Sequence, residues 1–264
     1  MPVRLSPILS MPDRPTLLSA GCSLVYGSEL SDSPNYSGQD PPSLKTWPAL
    51  YANSRNYIYK TCACCGISNQ GIARYVMDAV ELINPDFVIV QWTFFDRHEI
   101  RLNDSTLNNN QSHYYLLTPY LSEDTNIHHD PEITNIKKNL HAVIKSIATM
   151  WYRHVDSDET EYYNYLKTKI DLANYLRWKK IPFVFADSQT KLADVEKTVD
   201  GSLQTLIKLD KSIPEVGFNS QGFYNWASSS NYKFGIDHPL DQAHRAAYDL
   251  LHTSIDNYFS IKNC

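Results

Sequence analysis

Apolar and polar positions fall along the chain in blocks that read strand, helix, strand, helix. Thr16-Leu17-Leu18-Ser19-Ala20 is a short apolar run closed by Gly21, the pattern of a buried strand. The Ser-, Pro-, Asn- and Gly-rich stretch from Ser28 to Ser43 predicts a loop. A helix follows over Thr46–Asn56 with Trp47, Leu50 and Tyr51, and Tyr57–Cys65, β-branched and aromatic, reads as a second strand. Asn69 opens a helix in which Ile72, Val76, Ala79, Val80 and Ile83 recur at helical spacing until Pro85 stops it. Phe87-Val88-Ile89-Val90-Gln91 is a third strand, apolar throughout, as strands covered on both faces are.

Periodicity dissolves between Phe94 and about Asn135, where Asn, Ser, Thr and His dominate. A stretch of that length predicts an insertion or a lid. Helices are predicted over 136–154 and 159–179, a fourth strand over Ile181–Ala186, and mixed helical character over 191–209. The last helix, over 240–259, has a stripe of Ala243, Ala247, Leu250, Leu251, Ile255 and Tyr258. No repeat or linker divides the 264 residues. The expectation is one α/β domain, a flavodoxin-like three-layer α/β/α arrangement with a mostly parallel sheet.

Composition narrows the function classes. Hydrophobic residues make up 42% and charged residues 20%, the usage of a globular chain. A net charge of −5 gives no footprint for nucleic acid. No apolar run reaches the ~18–20 residues of a membrane span, so no membrane partner is expected. Pro2, Pro7 and Pro12 spoil the start as a signal peptide. Cysteines number 5, and Cys62, Cys64 and Cys65 lie together, which fits reduced thiols and a cytoplasmic setting better than a disulfide framework. Cys-x-Cys-Cys lacks the second half of a zinc site, so no metal is expected.

In a doubly wound sheet, ligands gather beyond the carboxyl ends of the strands. The first strand delivers Gly21-Cys22-Ser23-Leu24, a turn that can expose the Ser23 hydroxyl as a nucleophile; the structural alternative is a plain N-cap. The second delivers Gly66-Ile67-Ser68-Asn69, where backbone N–H groups and the Asn69 side chain can meet an oxyanion or merely cap a helix. The third ends in Gln91-Trp92-Thr93 with Arg97 beyond, polar residues where an apolar strand would not place them, unless Asp96, Arg97 and Glu99 form an ordinary surface cluster. Near the far end, Asp237-His238-Pro239 precedes the last helix. His238 there can serve Ser23 as general base, or simply introduce the helix.

Together, Gly21-Cys22-Ser23-Leu24, the Gly-Ile-Ser-Asn turn, the polar end of the third strand and the late His-Pro followed by Ala243-His244-Arg245 resemble the SGNH (GDSL-like) hydrolases. Gln-Trp-Thr followed by Arg97 looks like a divergent, phage-associated branch, which would add virion association to the localisation. The resemblance implies an SGNH-like fold and an esterase without cofactor, with Ser23 as nucleophile and His238 as general base. Oxyanion donors would come from the Ser23 and Gly66 N–H groups and, in place of the family's Asn, from Thr93 (or Gln91, unless that donor is lost), with Asn69, Gln91 and Arg97 as substrate contacts. Three positions depart from the family. Cys22 stands where Asp is usual, no Asn stands at 91–93, and Gly235 occupies the place of the Asp three residues before the His. Asp237 is then the nearest acid, and the expectation is either a Ser23–His238 dyad oriented by the Gly235 carbonyl or a triad completed by Asp237. The substrate would be a small or glycan-borne carboxylic ester. Tyr114-Tyr115 and Phe223–Trp226 could stack on sugar rings or simply pack beside the cleft. The alternative is an impaired SGNH-fold module that binds glycans, or is virion-associated, without turnover.

Overall fold

Strand β1 (Thr16–Ala20) lies at the heart of a parallel sheet because Leu17, Leu18 and Ala20 are covered on both sides and almost wholly buried. In the computed structural model, which describes residues 14–36, 38–102, 113–119, 138–191 and 201–260, β1 pairs with β2 (Ile58–Thr61) on one side and β3 (Phe87–Trp92) on the other. Beyond β3 comes β6 (Phe183–Asp187), giving the order β2-β1-β3-β6 with every pairing parallel. The segment 214–216 extends the sheet past β6, since Phe185 N–H donates to Pro214 O and Val216 N–H to Phe185 O.

Helices cover both faces, as a parallel sheet requires. Helix α2 (Trp47–Ser54) packs with α8 (Asp241–Ser260) on one side, where Asp256 receives hydrogen bonds from Tyr51 and Arg55. Helix α3 (Asn69–Ile83) packs with α5 (Asp158–Trp178), and α5 with α6 (Gly201–Asp210), on the other. The N-terminus of α3 is capped by Ser68 Oγ, which accepts from Gly71 N–H. The arrangement is the expected three-layer α/β/α fold. Strand 57–65 proves shorter than its composition predicts: the regular strand ends at Thr61, although Cys62 N–H still donates to Ser19 O and Cys64 N–H to Gly21 O before the turn at Gly66.

The predicted insertion holds a hairpin, β4 (His98–Leu102) with β5 (His113–Leu117), followed by α4 (Lys138–His154). Positions 103–112 and 120–137 lie outside the described residues, as do 192–200 of the mixed segment. Aromatic richness serves the core. Trp47, Trp92, Tyr51, Tyr162, Tyr165, Phe185, Phe218 and Phe223 are fully buried. The Phe223–Trp226 segment is therefore not a sugar-stacking loop. It forms α7 (Phe223–Ser229), with the Phe223 and Trp226 rings packed on Phe218. Tyr114 is partly exposed, but its ring faces the Arg74 guanidinium at 3.8 Å. Among the described residues no helix is long and apolar enough to cross a membrane.

Candidate active site

At the carboxyl end of β1 the backbone turns through Gly21 and Cys22 into the four-residue helix α1 (Ser23–Tyr26). Cys22 is fully buried and takes the N-cap position without a side-chain cap bond, so Ser23 is the first helical residue. An N–H at that position has no partner within the helix. Gly27 ends α1 at φ 82°, and a Cβ there would lie 2.4 Å from Ser43 Cβ, so both the conformation and the space call for glycine.

Ser23 Oγ lies 2.8 Å from His238 Nε2. The His238 ring comes from the 234–239 loop ahead of α8, a tight bend closed by Gly235 N–H to His238 O and Leu240 N–H to Lys233 O. Its other nitrogen, Nδ1, lies 2.7 Å from Glu29 Oε2. Ser23, His238 and Glu29 thus form one continuous hydrogen-bonded chain, and all three side chains are nearly buried.

Glu29 is the residue that sequence reasoning missed. It sits in the 28–43 loop at φ 67°, in the left-handed region that a residue with a Cβ adopts at some cost. The conformation aims its carboxylate into three backbone N–H groups: Ile236 at 2.6 Å, Asp237 at 3.1 Å and His238 at 3.2 Å. Burial opposes its ionisation, but the Ile236 N–H, the His238 ring and the Asp237 N–H together outweigh that and hold its carboxyl below the usual range. Gly235 makes the approach possible, since a Cβ there would fall 2.5 Å from Glu29 Oε1.

Asp237 does not reach the His238 ring. Its carboxylate instead accepts a 2.7 Å hydrogen bond from the Tyr36 hydroxyl, because adjacent side chains in this bend diverge. Nor does the Gly235 carbonyl hold Nδ1, whose partner is Glu29. Tyr36 lies over the histidine, ring centroids 5.2 Å apart. Burial, the bond to Asp237 and the charges of Asp237 and Glu29 push its hydroxyl up to about 12. The loop carrying Glu29 and Tyr36 is fastened to α8 through Ser31 N–H, 3.0 Å from Asp241 Oδ1, and the Lys45–Asp241 ion pair.

The remaining sequence candidates divide. Gln91 is fully buried, its carbonyl accepting from Trp47 Nε1 at 2.6 Å and its amide donating to Ser188 Oγ at 2.9 Å. It braces the sheet, with both ends of its amide engaged within the protein. Asn69 also turns inward, with Oδ1 accepting from Thr93 N–H at 2.8 Å and Nδ2 donating to Phe94 O at 3.3 Å. It shapes the turn after β3. Thr93 Oγ1 accepts a 3.1 Å bond from Arg97, which leaves the Thr93 O–H free to donate elsewhere. Arg97 is half-buried over the Phe94 ring, and its charge is felt at Tyr36, so it borders the site. Gly66 stands in a turn at φ 74° where a Cβ would meet nothing, next to Cys65, whose sulfur lies 3.2 Å from Ser28 Oγ.

No protein-family model matches the chain, and no curated protein matches it. Its likeness to solved structures is in fold. A carbohydrate esterase family 2 enzyme with a carbohydrate-binding domain, from Corynascus thermopiles (Myceliophthora fergusii), superposes with a TM-score of 0.51 at 13% identity, covering 97% of this chain and 69% of that one. A psychrotrophic esterase from Pseudoalteromonas sp. gives 0.49 at 10% identity, covering 93% and 98%. A putative lipolytic protein of the G-D-S-L family from Desulfitobacterium hafniense gives 0.47 at 9%, covering 91% and 99%. The parallel sheet flanked by helices is that of the SGNH-hydrolase folds.

Proposed function

We propose that this chain is a serine ester hydrolase working through a Ser23–His238–Glu29 triad. The observation that carries the reading is the unbroken chain of hydrogen bonds from Ser23 Oγ through the His238 ring to Glu29. Ser23 Oγ attacks the ester carbonyl while His238 Nε2 takes its proton, and Glu29 holds the Nδ1–H tautomer and offsets the positive charge that develops on the ring. The tetrahedral oxyanion is met by the Ser23 N–H, the Gly66 N–H and the Thr93 hydroxyl. Arg97 strengthens the last donor by bonding to its oxygen. Collapse expels the alcohol, which collects the proton from His238, and water then repeats the sequence on the acyl-enzyme. The Asp237–Tyr36 bond acts at one remove, packing Tyr36 against the histidine.

An acyl group on a carbohydrate is the substrate class we favour, supported by the carbohydrate esterase whose fold the chain shares. Purified protein assayed with p-nitrophenyl acetate and acetylated oligosaccharides tests both levels of the reading. Turnover abolished in Ser23→Ala supports the hydrolase. Folded protein that binds the oligosaccharide but turns over neither compound would replace it with a binding module.

A further inference from the structure

Where the β4–β5 hairpin meets the turn between α4 and α5, a second group of chemically capable side chains converges. His98 opens β4 and is 4% exposed, Asp156 stands in the turn after α4, and Glu161 lies in the first turn of α5. One ligand atom from each falls within 4.8 Å of the others. His98 Nε2 is 3.4 Å from Asp156 Oδ1. Both atoms are nevertheless buried without a hydrogen bond, and Asp96 Oδ1, two residues before His98, shares that condition. Buried polar atoms left in this way are rare and call for a partner.

The charge balance points the same way. Asp96, Asp156 and Glu161 gather in one partly buried corner; the Arg97 charge is felt at Asp96, but among the described residues no Lys or Arg is ion-paired to any of the three. A cation in their midst would offset these crowded carboxylates.

We propose that His98, Asp156 and Glu161 form a binding site for a divalent transition-metal ion, Zn2+ or Mn2+, that pins the hairpin to α5. One imidazole and two carboxylates form a donor set of mixed hardness that suits these ions and leaves room for water. Bonds of ~2.1 Å in a tetrahedron set ligand atoms ~3.4 Å apart, so the His98–Asp156 pair at 3.4 Å already has the right separation, and a Glu161 oxygen lies within 4.8 Å of both. The surroundings hold the ligands in place. The Trp151 ring packs on His98 at 4.9 Å, Asp156 N–H donates to Trp151 O at 2.9 Å, and the Tyr152 hydroxyl ties Asp96 O to Leu117 O at 2.6 and 2.9 Å. Because Arg97 adjoins His98, the ion would also steady the turn that presents Arg97 and Thr93.

The test is a titration of the chelator-stripped full chain with Zn2+, Mn2+ and Co2+, followed by calorimetry, thermal melting and the Co2+ absorption spectrum. The site predicts one equivalent bound, a melting temperature raised by about 5 °C at ~100 times Kd, and no thiolate charge-transfer band. Glu161→Gln removes a crowded charge without enlarging the side chain and should keep the fold while weakening binding at least ~10-fold; His98→Gln should do the same. Failure to bind any of the three ions, affinity unchanged in Glu161→Gln, or a thiolate band from Cys64 and Cys65 would overturn the assignment.

Discussion

The carboxylate of Glu29 meets His238 Nδ1 at 2.7 Å across 209 residues of sequence. If that contact fixes the histidine tautomer, Glu29→Gln lowers kcat by ~10²–10⁴-fold with little change in KM. Asp237→Asn, which cuts only the Tyr36 bond, lowers it by less than ~10-fold. Steady-state kinetics on the two variants separates these roles. Equal losses would move the orienting role to Asp237.

Gly235 is predicted to be intolerant for a reason unrelated to backbone conformation. The Cβ of Gly235→Ala would lie 2.5 Å from Glu29 Oε1 and displace the carboxylate. Turnover should fall at least ~10-fold while overpacking costs about 1–3 kcal/mol of stability, read by urea unfolding. A fully active variant would show that Glu29 can retreat without consequence.

Thr93→Val removes a hydroxyl but keeps the shape. As an oxyanion donor, its loss costs ~10-fold or more in kcat, with the melting temperature almost unchanged. Unaltered kcat would transfer that role to the backbone N–H groups alone.

His244 gives a pH signature independent of catalysis. Fully buried, with Nδ1 accepting from Trp47 N–H at 3.3 Å, it is held neutral and its pKa falls from 6.5 to about 3. Its folded value lies below its unfolded one, so this stability is complete above about pH 6.5 and is lost as pH falls toward 3. Unfolding free energy measured from pH 7.5 to pH 5 should decline in the parent and decline less steeply in His244→Gln. Parallel slopes would remove His244 from the account.

Much of this was legible in the sequence. Leu17–Ala20 and Val88–Val90 read as buried parallel strands because both faces of the sheet are covered, and the Ile72-Val76-Ala79-Ile83 stripe defined α3. Ser23 and His238 were visible because each sits at a strand or helix boundary, where ligands of such a sheet gather. Glu29 was not. Its role depends on a left-handed backbone in a loop without periodicity and on a partner bend 209 residues away, contacts that no local pattern encodes. The partners of Gln91 and Asn69 were not legible either: polarity at these turns reads as chemistry, whereas the side chains satisfy Trp47, Ser188 and the backbone of the 93–94 turn. Helix α1 spans four residues, too few to show a period, and α7 was hidden because its aromatic residues resemble a binding loop more than a core.

The central claim, that Ser23 is a nucleophile activated by His238 and Glu29, is tested most directly by fluorophosphonate labelling mapped by mass spectrometry. The 2.8 Å contact between Ser23 Oγ and His238 Nε2 predicts a single adduct on Ser23, slowed by at least ~10²-fold in His238→Ala although the variant stays folded. A folded parent protein that carries no adduct on Ser23, or labels equally fast without His238, would contradict it.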